Sequence, residues 1–96
     1  MKAIQELYEK MLWLVCDYAE LPADEVLNSN REECVNARCA LVKVLSEWMT
    51  DEEIAKYSGL TRAGVNKLRN GARERMRRYS FKCLVECVQM VVESST

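Results

Sequence analysis

Apolar residues recur every three or four positions along almost the whole chain, and that period admits one class of fold. Over residues 3–19 they fall at Ile4, Leu7, Tyr8, Met11, Leu12, Leu14, Val15 and Tyr18, a broad stripe on one face of a helix. No stretch alternates apolar and polar residues for long, and three glycines and one proline leave few points at which a helix must break. The expectation is an all-α domain of five or six helices.

The breaks fall where such helices would turn. Leu21-Pro22 ends the first. Pro22, followed by Asp24 and Glu25, suits the opening turn of a short second helix anchored by Val26 and Leu27, because proline and acids both favour a helix N-terminus. Asn28-Ser29-Asn30-Arg31 has the composition of a turn. A third helix is expected over residues 32–48, burying Val35, Cys39, Leu41, Val42, Leu45 and Trp48. Residues 80–93 read as a last, amphipathic helix capped by Ser80. Its polar stripe is Lys82, Glu86, Gln89 and Glu93, and nearly all else in it is apolar. So wide an apolar arc calls for burial on more than one side. Either it packs on the N-terminal helix of the same chain, or it pairs with a second copy; a homodimer through this helix is the preferred expectation.

Ninety-six residues, 49% apolar and 30% charged, make one folded domain over residues 1–96, with no repeat or linker. The apolar run MLWLVC at residues 11–16 is short and flanked by charge, so neither an export signal nor a membrane span is read there, and a cytoplasmic protein is expected. The five cysteines (Cys16, Cys34, Cys39, Cys83, Cys87) are an odd number, none forms a Cys-x-x-Cys pair, and there is no histidine. They read as reduced core residues rather than metal ligands. Without histidine, a phosphate-cradling glycine loop or a cysteine beside a base, no enzyme is expected, nor any cofactor or small-molecule ligand. Met11, Trp13, Trp48 and Met49 are expected in the core or at an interface.

The net charge of −1 conceals an uneven distribution. Residues 62–78 hold seven cations (Arg62, Lys67, Arg69, Arg73, Arg75, Arg77, Arg78) against one acid, Glu74. The rest of the chain carries seven cations and fourteen acids. A basic segment on an acidic body points to an anionic partner.

That segment follows a patterned stretch, TDEEIAKYSGLTRAGVNKLRN. Thr50 and Glu53 are spaced as a capping box, which starts a helix firmly. Ile54 and the small Ala55 face inward. Gly59 sits where a tight turn needs positive φ, Leu60 plugs the corner and Thr61 can cap the next helix. Val65 and Leu68 would pin that helix back on the first. This is the spacing of a central DNA-reading helix-turn-helix over about residues 51–70. The outer residues of its second helix are Arg62, Ala63, Asn66, Lys67, Arg69 and Asn70. Arg and Lys can donate to guanine, Asn can pair with adenine and Ala can touch a thymine methyl. Gly64 within that helix is locally unfavourable. Lys56 and Thr61, at the edges of the motif, and Arg73 and Arg77, in the run beyond it, are the phosphate-binding candidates. Tyr57 and Tyr79 flank the basic segment.

Over about residues 14–73, the order of elements and the residues Val26, Leu27, Arg31, Ala37 and Arg38 resemble the C-terminal DNA-binding domain of the bacterial replication initiator DnaA. The broader superfamily includes the Trp repressor, whose helix-turn-helix spacing fits residues 54–67 without a gap. The resemblance implies the helical scaffold and its DNA-facing surface, and it adds Arg31 and Arg38 as phosphate candidates, their alternative being surface pairs with Glu32 or Glu33. The initiator's reading helix opens with Arg-Asp-His-Thr-Thr; here Thr61-Arg62-Ala63-Gly64 is one residue shorter. Its basic loop is also diluted here by Glu32 and Glu33. Recognition of the initiator's own DNA box is therefore not implied, and nothing points to binding of tryptophan.

The expectation is a small, sequence-specific protein of bacterial or phage type that binds double-stranded DNA, acting in transcription regulation or replication. The alternative is a protein–protein interaction module that docks through the apolar C-terminal helix.

Overall fold

The structure, a computed structural model, describes residues 2–95. Among the described residues there are six α-helices and no strand: α1 (Lys2–Ala19), α2 (Ala23–Asn28), α3 (Glu32–Leu45), α4 (Asp51–Ser58), α5 (Arg62–Arg75) and α6 (Tyr79–Ser95). The all-α expectation holds at its upper count of helices. None of them is long and apolar enough to cross a membrane.

Helix α3 is the axis of the molecule and packs against α1, α2, α5 and α6. It can take neighbours on several sides because small side chains line it. Cys34, Ala37, Cys39 and Ala40 are buried along with Leu41, Val42, Val44 and Leu45. Helix α1 adds Tyr8, Met11, Leu14 and Val15 to this core, and α6 adds Phe81, Val85, Val88 and Val92. The cysteines follow the expectation only in part. Cys34 and Cys39 are buried, Cys16 and Cys83 half-buried, and Cys87 exposed. Burial pushes the thiols of Cys16 and Cys39 above their ordinary range, which keeps them protonated.

The joints are made by local hydrogen bonding. Helix α1 ends with Glu20 in a left-handed conformation (φ 58°), and the Leu21 N–H donates back to the Cys16 carbonyl at 3.1 Å. Pro22 then sits at the N-cap of α2. The first turn of α3 is tied to α5 by Arg75, whose guanidinium donates to Glu32 (2.8 Å) and to Asn36 (2.9 Å).

Two expectations need correction. The third helix stops at Leu45, not Trp48. The chain tightens there, with the Trp48 N–H on the Leu45 carbonyl at 2.9 Å. That turn swings Trp48 outward (43% exposed) and leaves the buried place to Met49. Trp13, expected in the core or at an interface, lies outside the core at 64% exposure, on the side of α1 opposite Met11 and Val15. Lastly, Ser80 does not cap α6. The helix already begins at Tyr79, the Lys82 N–H bonds to the Arg78 carbonyl at 3.0 Å, and Ser80 lies within the first turn.

The apolar arc of α6 is covered on one side by α1 and α3 of the same chain. On its outer side Met90 and Cys87 are exposed.

Candidate nucleic-acid interface

Helices α4 and α5 are joined by three residues, and each joint in this hairpin has an identifiable cause. Thr50 Oγ1 accepts from the Glu53 N–H at 3.2 Å, and Glu53 Oε1 accepts from the Thr50 N–H at 3.0 Å, so the capping box is complete. Gly59 has φ 79°, a conformation open to glycine at little cost, and its N–H closes α4 on the Ala55 carbonyl. Ser58 Oγ accepts from the Leu60 N–H at 3.2 Å, a turn contact that composition alone does not single out. Thr61 caps α5 by accepting from the Gly64 N–H at 2.9 Å.

The packing then sets the orientation. Ile54 of α4 and Val65 of α5 are fully buried, with Leu60 and Leu68 half-buried between them and solvent. With Val65 and Ala72 turned inward, the opposite side of α5 carries the predicted base-reading set. Arg62, Ala63, Asn66, Lys67, Arg69 and Asn70 are all exposed, and Arg73 extends the same surface.

This outer face is tied to the acidic first turn of α4. Arg62 lies 3.5 Å from Glu52, Asn66 donates to Asp51 at 3.4 Å and Arg69 lies 3.0 Å from Asp51. Asn70 in turn donates to Asn66 at 3.1 Å. The Arg69–Asp51 contact is coulombic, since the buried Oδ1 of Asp51 lies off the line of a hydrogen bond. The acids that strengthen the start of α4 thus also hold three of the six base-reading candidates directly, and Asn70 only through Asn66. Sequence spacing shows the cap but not this second role, which depends on how α4 and α5 cross.

The predicted phosphate candidates divide by what already holds them. Arg73 is exposed and has no ion pair among the described residues. Arg77 has only a solvent-exposed contact with Glu74 at 3.7 Å. Lys56 is exposed, its ammonium 5.7 Å from the ring centre of Tyr57, which itself stacks on Tyr8. Tyr57 is therefore half-buried packing, whereas Tyr79 is 83% exposed. The hydroxyl of Thr61 is occupied as a cap.

Arg31 and Arg38 are held locally, and not by the acids anticipated from sequence. Arg31 pairs with Glu25 rather than Glu32 or Glu33, and its guanidinium also reaches Cys34 Sγ at 3.7 Å. Arg38 is half-buried and donates to the Val26 carbonyl at 2.7 Å and to the Ser29 carbonyl, stapling the end of α2 to α3. Glu32 instead receives Arg75 at 2.8 Å and Arg78 at 3.6 Å. The hydrogen bond from Arg75 holds the Glu32 carboxyl below the usual carboxylate range. Of the seven cations in residues 62–78, only Lys67 and Arg73 lack an acid partner among the described residues.

Compared with protein-family models, with curated proteins and with solved structures, the chain matches none.

Proposed function

We propose that this is a sequence-specific double-stranded DNA-binding protein in which α4 and α5 act as a helix-turn-helix and α5 enters the major groove. One observation carries the reading. A single face of α5 exposes Arg62, Ala63, Asn66, Lys67, Arg69 and Asn70 together, while Val65 and Ala72 fix that helix to the core from behind. A rigidly held helix with long cationic and amide side chains on its free side has the chemistry that base edges require. Arg73 and Arg77 then supply backbone contacts. The resemblance to the initiator's DNA-binding domain and to the Trp repressor superfamily belongs to the same proposal, as does a role in transcription or replication.

The test is selection from a pool of randomised duplexes at several salt concentrations, with Arg62→Ala/Lys67→Ala as control. Enrichment of one motif by the wild-type chain, lost in the double variant, is the expected result. Two-fold symmetry in that motif would mark a dimer. Binding without enrichment would sink the base-reading role.

A second reading, docking to a protein partner, is favoured by a different feature. Trp13 is 64% exposed and borders a groove of about 300 Å³ that also includes Leu12, Leu21 and Pro22. Exposed aromatics beside apolar grooves are common anchors at interfaces.

A further inference from the structure

A cleft of about 260 Å³ opens where the last turns of α3 meet the outer side of α5, lined by Lys43, Ser46, Arg69, Arg73 and Met76. Three cations from two helices converge on it. Arg69 and Arg73 are one helical turn apart and so stand side by side, while Lys43 approaches from α3. This convergence is unusual in a chain whose acids outnumber its lysines and arginines by 15 to 14. Neither Lys43 nor Arg73 has an acid within ion-pair distance among the described residues, and Arg69 has one, Asp51. Ser46 directs its hydroxyl to the Lys43 carbonyl at 2.8 Å, which satisfies that acceptor and leaves the cations as the donors of the cleft. Half-buried Met76 supplies an apolar wall, beside which a charge–charge attraction is screened less than in open water.

We propose that Lys43, Arg69 and Arg73 form a phosphate-binding pocket. Arg69 is shared between this cleft and the exposed face of α5, so a duplex lying along α5 brings a backbone phosphate to its mouth. Only the source of the phosphate rests on the DNA reading; the pocket itself does not. The inference adds Lys43 and the end of α3 to the contact surface, neither of which sequence spacing indicates.

The experiment is a titration of the full chain with inorganic phosphate at constant ionic strength, sodium chloride making up the balance, followed by amide NMR. Saturable shifts at Ser46, Arg73 and Met76 are expected. They should weaken at least fivefold in Lys43→Ala and in Arg73→Ala, with Lys43→Glu as a second variant should an alanine change disturb the fold. Shifts no larger than those with chloride alone, or unchanged in the variants, overturn the pocket. A second arm adds duplex DNA to the phosphate-loaded protein. Displacement of phosphate identifies the backbone as its source, and simultaneous binding identifies a free phosphorylated ligand; both uphold the pocket. For a backbone phosphate, each charge removal lowers the salt slope of duplex binding by about one. Phosphate binding without any duplex binding would sink the DNA reading and leave the pocket standing.

Discussion

Two glycines of the hairpin differ in what the fold asks of them. Gly59 is needed for its backbone. At φ 79° an L side chain crowds the following carbonyl, so Gly59→Ala is expected to cost about 1 kcal/mol of stability, measured by urea unfolding. Gly64 is ordinary helix, and an added Cβ would meet only Thr61 Oγ1, at 3.0 Å. The other hairpin helix shows how that contact is relieved. At the start of α4, Thr50 caps Glu53, which has a Cβ, through a bond of 3.2 Å rather than the 2.9 Å between Thr61 and Gly64. A shift of a few tenths of an ångström is therefore enough. Gly64→Ala is expected to stabilise the protein by roughly 0.5–1 kcal/mol through helix propensity, checked by the same unfolding curves. Loss of duplex affinity in that more stable variant would show that the missing side chain serves approach to the DNA.

Between helices, the contact that reports most directly on the scaffold is Arg75 on Glu32, which ties α5 to the first turn of α3. Since the Glu32 carboxyl titrates lower in the folded chain than in the unfolded one, its contribution is complete above the unfolded value of about 4.3 and is lost as pH falls through the folded value. The stability difference between wild type and Glu32→Gln should thus be constant above about pH 5 and shrink in more acid solution, as followed by thermal melts. A difference independent of pH would mean that the carboxylate charge is irrelevant to the tie. Such contacts mark the limit of what could be read in the sequence. The capping box at Thr50, the Thr61 cap and the Gly59 turn were legible because each is decided within four residues. The inward face of α5 followed from period alone. The oxygen partners of Arg31, Arg38 and Arg75 lie 6 to 43 residues away and depend on how helices cross, which no local pattern encodes. Trp48 was misplaced for a related reason: a periodic stripe shows a face but not the turn at which the helix ends.

For the whole molecule, charge segregation is softened by the fold. Five of the seven cations in residues 62–78 have an acid nearby, and the reading candidates Arg62, Asn66 and Arg69 lean on Glu52 and Asp51. On the DNA-reading proposal, Glu52→Gln frees Arg62 and removes a charge beside the duplex. Affinity is then expected to rise roughly two- to fivefold at low salt, the effect fading as salt is raised, in a fluorescence anisotropy titration. An unchanged or weaker affinity would place Arg62 away from the DNA. On the same proposal, the acidic turn of α4 borders the exposed face of α5, its carboxylates beside Arg62, Asn66 and Arg69 where a duplex would offer phosphates and base acceptors. Binding would then be, in part, an exchange of one set of anions for another. A poorly matched sequence would still offer phosphates to Arg73 and Arg77, but at Arg62, Asn66 and Arg69 it would add little to what Asp51 and Glu52 already supply, so the helix would distinguish its targets by what they add beyond its own internal decoy.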